Sequence, residues 1–127
     1  MILSEALALY LENKSLGIFG DDIFAGLRPA EPINCLTVYD TGGFKPQKDT
    51  TSDPTLEIIV RDISYPAGLN KLIDANKHLK ERYNFWLVDD LIWVYYIEAQ
   101  GEPKKIGRDE NGNHLFSVNY HLWLKYY

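Results

Sequence analysis

Three histidines, one cysteine and two pairs of adjacent aspartates are the residues with the most chemical potential in this chain. His114 and His121 stand seven positions apart in or beside one expected strand. Alternation points them to opposite faces, so they cannot share a metal within that strand. His78 falls on the polar side of an expected helix, the ordinary place for a solvated imidazole. Cys35 opens an expected strand with no histidine near it in sequence, so nothing local activates a thiolate. Asp21-Asp22 and Asp89-Asp90 could bind a divalent cation or shift each other's protonation, but aspartates beside turns serve turn initiation as readily. The run DENGN, residues 109–113, fails as a calcium loop, because Gly112 is its fourth residue and that motif needs glycine at the sixth. Phosphate-loop, dinucleotide and zinc patterns are lacking too. The expectation is a protein that is not an enzyme and uses no cofactor and no metal.

Composition narrows the class. Of 127 residues, 46% are hydrophobic and 24% charged, which suits one packed domain over residues 1–127 rather than a disordered chain. Aromatics make up 13%, with nine Tyr and three Trp, and these residues favour interfaces because an apolar body carries a polar tip. The net charge of −5 and a pI near 5.1 give no pull on phosphate, and only Lys104-Lys105 are adjacent basic residues. A lone cysteine fits a reducing compartment. Residues 1–15 lack a basic start followed by an apolar run, and no apolar stretch reaches membrane-spanning length. A cytosolic, soluble chain with no membrane contact is expected.

The elements that must position these residues follow from periodicity. Leu3, Leu7, Tyr10 and Leu11 predict a helix over 3–13 with Ser4 as N-cap. Residues 16–34 hold Gly17, Gly20, Gly26, Pro29 and Pro32 and predict irregular chain, with a short strand near Ile18-Phe19. CLTVYD, residues 35–40, and TLEIIVRD, residues 55–62, predict strands joined by a long exposed loop over 41–54. A helix over 65–83 has Ser64 as cap, Pro66 in its first turn and a stripe of Leu69, Leu72, Ile73, Leu79 and Tyr83. Residues 91–99 are apolar on both faces, and residues 115–126 alternate, with Trp123 breaking the polar side. Between them a polar loop over 100–114 turns at Asn111-Gly112. The order α-β-β-α-β-β predicts an α+β fold: a mainly antiparallel sheet of about four strands with two helices packed on one face.

The last two strands are rich in apolar surface, to be buried either against another subunit or under the two helices, over 3–13 and 65–83. Candidate contact residues are Tyr39, Asp40, Thr41, Gly42, Gly43, Trp93, Tyr95, Tyr96, Arg108, Asp109, Glu110, Asn111 and Trp123.

Two stretches, LALYLENKSLGIFGDDIFAGLRPAEPINCLTVYDTGG (7–43) and IGRDENGNHLFSVNYHL (106–122), carry a resemblance. Phe24, Gly26 and Pro29 form an F-x-G-x-x-P step, Cys35 to Gly43 read C-x-x-V-Y-D-T-G-G, and Gly107 to Gly112 read G-R-D-E-N-G. In that order and spacing the chain resembles the small phage and prophage proteins called minor capsid proteins, related to the tail terminators of long-tailed phages. The resemblance covers nearly the whole chain. It implies an α+β protomer that forms a ring, usually a hexamer, on the head-proximal end of the tail tube in the virion, after assembly in the host cytoplasm. It implies as partners the chain itself, the tail tube protein and the head-tail connector, with no catalytic residues to carry over. DNA would pass through without tight binding, and Asp21, Asp22, Asp89 and Asp90 are candidates to line the hole. The alternatives are a head-side completion protein and, from another class, a small ligand-binding module built on the aspartate pairs and tyrosine-rich strands.

Overall fold

The computed structural model describes residues 1–44 and 51–127. In chain order it holds α1 (Leu3–Asn13), β1 (Ile23–Ala25), β2 (Cys35–Phe44), β3 (Asp53–Asp62), α2 (Tyr65–Lys77), β4 (Arg82–Val88), β5 (Ile92–Ala99), β6 (Lys104–Arg108) and β7 (His114–Tyr126).

α1 buries Leu3, Ala6, Leu7, Ala8, Tyr10 and Leu11, a swath wider than one stripe. Its N-cap is Ile2, which offers no side-chain cap, so Ser4 lies inside the helix rather than capping it. The first turn is closed from outside the helix: Asp40 of β2 accepts the Ser4 N–H at 3.1 Å and the Ser4 hydroxyl. A carboxylate at a helix N-terminus also meets the positive end of the helix dipole. In α2 the Ser64 hydroxyl accepts the Ala67 N–H at 3.3 Å, and proline stands in the first turn, as the sequence predicts. The helix stops at Lys77, however, not at residue 83. Residues 82–88, RYNFWLV, form β4 instead, because aromatic and β-branched side chains suit a pleated surface better than a helix end.

The sheet runs β1-β2-β3-β7-β5-β4, with β6 also on β7. β1 and β2 are parallel and every other pair is antiparallel. β7 is the spine. One side pairs with β3 over His114–His121, and the other pairs first with β6 and then, over Tyr120–Tyr126, with β5. The sheet curls into a half-barrel, so that β1, β2 and β4, from opposite ends of the strand order, all pack on α1, while α2 packs on β3 and β7.

The expected sheet of about four mainly antiparallel strands with helices packed on one face is therefore overturned by a seven-stranded, curled, mixed sheet wrapped around its helices. Three short strands account for the difference. β1 hides among glycines and prolines, β4 in the tail of a helical pattern, and β6 in a polar stretch. No strand forms at Ile18-Phe19, where Phe19 makes only an isolated bridge to Ile23. The exposed loops also shrink. Residues 41–44 and 53–54 continue the β2–β3 hairpin past a bulge between Asp40 and Gly43, and Lys104–Arg108 are β6; residues 45–50 lie outside the described ones. Gly43 is required at that bulge, since its φ is 148° and a Cβ would sit 2.5 Å from the Asp53 carbonyl oxygen.

One contiguous apolar cluster fills the hollow, with Leu36, Val38, Leu56, Ile58, Val60, Phe116, Val118, Tyr120, Leu122 and Leu124 meeting Leu7, Leu11 and Leu72. Each such burial contributes about 1.5–3 kcal/mol. The helices take up the inner face and leave the outer face of the sheet free of them.

Candidate functional site

The outer face of the sheet carries a ladder of rings across its strands. Tyr83 of β4 stacks on Tyr96 of β5 at 4.4 Å between centroids, and Tyr96 stacks on Trp123 of β7 at 5.2 Å, both pairs within 22° of parallel. Trp123 meets His121 at 3.8 Å, and His121 meets Phe44 of β2 at 4.7 Å. Toward the β4–β5 turn, Trp86 lies edge-on to Trp93 at 5.1 Å and tilts against Tyr127 at 5.4 Å. The Lys125 ammonium stands 4.6 Å from the centre of the Tyr127 ring.

A bulge builds this face. Relative to β7, β5 carries one extra residue, Tyr95, between Val94 and Tyr96. Trp93 and Tyr96, three apart, thereby reach the same side, which plain alternation forbids. Phe44, Tyr83 and Tyr127 are 57%, 61% and 63% exposed, while Trp86, Trp93, Tyr96 and Trp123 are half-buried. Stacked pairs hold one another in place, so they meet a partner with little rotamer entropy left to lose. The Tyr96 hydroxyl donates to Glu98 at 3.2 Å. Its pKa is pushed up to about 12, first by the neighbouring Tyr83 hydroxyl.

Of the candidate contact residues, the structure brings Trp93, Tyr96 and Trp123 together, with Tyr95 on the bulge beside them and 39% exposed. Tyr39 to Gly43 lie on another flank. Tyr39 pairs with Glu57, Asp40 caps α1, the Thr41 and Thr55 hydroxyls lie 2.7 Å apart, and Gly42 and Gly43 are exposed in the hairpin. Arg108 to Asn111 stand at the start of β7, where they join Arg28 and Arg61 around a cavity of about 620 Å³. There Asp109 is a turn-former: its carboxylate accepts from the Asn111 and Asn113 N–H groups, each at 2.9 Å, and from Asn113 Nδ2 at 3.0 Å. The bonds to Asn113 are the main cause of its lowered pKa.

The two aspartate pairs lie at opposite ends of the strands. Asp22 accepts the Ile18 N–H at 2.7 Å and pairs with Lys71 at 3.9 Å, with exposed Asp21 beside it. Asp89 and Asp90 form the exposed β4–β5 turn, with Asp90 at a φ of 63°. The candidate contact residues left out Phe44, Tyr83, Trp86, His121 and Tyr127, all members of the aromatic face. The signal for two of them was present in RYNFWLV, whose ring-rich composition favours a strand.

Among the described residues no group of three or more His, Cys, Asp or Glu could hold a metal, and Cys35 is fully buried. No helix is long and apolar enough to cross a membrane. A broad stacked face on a rigid sheet, with Glu98 and Lys125 at its side, has the ring-rich make-up that protein interfaces favour. The chain matches the family described as bacteriophage tail terminator protein over residues 10–126, and it belongs to that family. Its role is thus a structural one in phage tail assembly. No curated protein matches the chain.

Proposed function

We propose that copies of this chain close into a ring, a hexamer, on the head-proximal end of the tail tube, where the ring ends tube polymerisation and presents the joining surface for the head connector. The observation that carries the proposal is the aromatic face. Rings this exposed on a folded monomer are a liability unless a partner covers them. The helices occupy the opposite side of the sheet, so they cannot. Flat aromatic anchors near the centre of a contact are the usual source of its energy. A closed ring needs each copy to present two different surfaces, of which this face is one. The family supports the tail setting, and the net charge of −5 supports a ring through which DNA slides without being gripped, since an acidic lining repels phosphate.

Sedimentation velocity tests the reading with Trp93→Ala and Tyr96→Ala, alone and with tube protein. The wild type forms a ring, free or on the tube. Each variant keeps its near-UV circular dichroism outside the changed ring and associates at least about tenfold more weakly. Variants that assemble like the wild type in both settings would remove this face from the contact.

A further inference from the structure

The cavity at the start of β7 has a cationic floor. Arg61, at the end of β3, is only 7% exposed, and a guanidinium that deep is costly unless its charge is matched. Its Nε donates to the Ile33 carbonyl at 2.8 Å, and its Nη2 donates to those of Pro29, Pro32 and Ala30 at 2.6, 3.0 and 3.3 Å. These bonds pin the loop between β1 and β2 across the outer face. Carbonyl dipoles soften the charge but do not cancel it. Among the described residues Nη1 has no hydrogen-bond partner, and no carboxylate lies within 4.0 Å of Arg28, Arg61 or Arg108. The neighbouring carboxylate, Asp109, spends both oxygens on its own turn, so it acts on Arg61 only through space and not by contact. Glu31 and Glu110 also line the cavity, and both are exposed, as is Arg108.

We propose that this cavity is a socket for a carboxylate of a neighbouring copy of the chain, supplied by the Asp89-Asp90 turn; the assignment rests on the ring reading above. With Glu31, Asp109 and Glu110 among its lining, the cavity suits a single carboxylate side chain better than a polyanion such as DNA. Socket and turn occupy opposite ends of the protomer. Arg61 pairs with Leu115 and Arg108 with His114 at the start of β7. The turn lies where β7 ends, with the Tyr127 N–H donating to the Leu91 carbonyl at 2.8 Å. Contacts between two different ends are what a head-to-tail ring requires. The flanking apolar surface matches as well. Beside the turn lie Leu91, 49% exposed, and the Trp86, Trp93 and Tyr127 rings. Within two residues of the socket arginines come Leu27, Ile63 and Ile106, exposed by 77%, 61% and 44%. The assignment leaves Asp21 and Asp22 as the candidates for lining the hole.

Charge reversal tests this by sedimentation velocity of the full chain, with tube protein present where the ring needs it. Arg28→Glu with Arg108→Glu leaves Arg61 and its loop in place and weakens association at least about tenfold. Asp89→Lys with Asp90→Lys does the same, and all four changes in one chain restore association to within a few-fold of wild type. Arg108→Gln, a milder change, weakens association in the same direction should the reversals disturb folding. Reversals without effect on a wild type that does assemble would overturn the socket alone, as would a combined variant no better than its parents. A wild type that never assembles would overturn the ring reading and the socket with it.

Discussion

Tyr120 sits where β7 crosses α2, its ring fully buried and its hydroxyl donating to Asn76 Oδ1 at 2.6 Å. Tyr120→Phe leaves that amide oxygen unpaired in the interior and costs roughly 1–3 kcal/mol, measured by urea unfolding at neutral pH. The phenol also sets an alkaline limit. Burial pushes its pKa well above the ordinary 10.0. Below about pH 10 both folded and unfolded states hold the proton, and the stability it confers is fully present. Above that, the unfolded chain ionises first, and stability falls by up to about 1.4 kcal/mol per pH unit until the folded value is reached. The gap between wild type and Tyr120→Phe should therefore narrow as the pH rises above about 10; a constant gap would contradict the buried phenol. At this scale the sequence revealed residue types but not their partners. Asp40 looks like a surface acid until Ser4, 36 residues away, is found beneath it. Arg61 reads as the polar side of a strand until the loop between β1 and β2 closes over it. Such roles depend on long-range closure, which periodicity does not encode.

Elements with a strong period were legible and those without one were not. α1, the cores of β2 and β3, most of α2, β5 and β7 all announce themselves, because one buried face imposes a repeat. β6 has no such face, since four of its five residues are exposed and it is held by edge pairing with β7. The aromatic face was half legible. Trp93, Tyr96 and Trp123 could be picked by type, but their shared side depends on the bulge at Tyr95. Gly68 tests the packing of α2 on the sheet. A Cβ there would lie 2.7 Å from Phe116 Cε2 and 2.8 Å from the Asp62 Cβ. Alanine gains up to about 1 kcal/mol in helix propensity, whereas overpacking costs about 1–3 kcal/mol. Both neighbours are buried, so the cost wins and Gly68→Ala destabilises by about 1–2 kcal/mol in thermal or urea unfolding. A more stable variant would show that the Phe116 ring has room to give way.

At the scale of the whole molecule, the curl decides what remains for partners. Wrapping the sheet around α1 and seating α2 on β3 and β7 use up the inner face, and the pinned loop covers part of the outer one. What stays open is a band of rings, bordered by the acidic β4–β5 turn. A charge of −5 on every copy opposes association away from a template, so the proposed ring should assemble where a tube end holds several copies close together. Membership of the tail terminator family gives that template its setting. The most direct measurement is the length of tails, read from negatively stained particles of phage lacking this gene and of phage carrying it. Tails without the protein should extend to uncontrolled lengths, and supplying the protein should return them to one length. The same narrow length distribution with and without it would contradict its role in ending the tube.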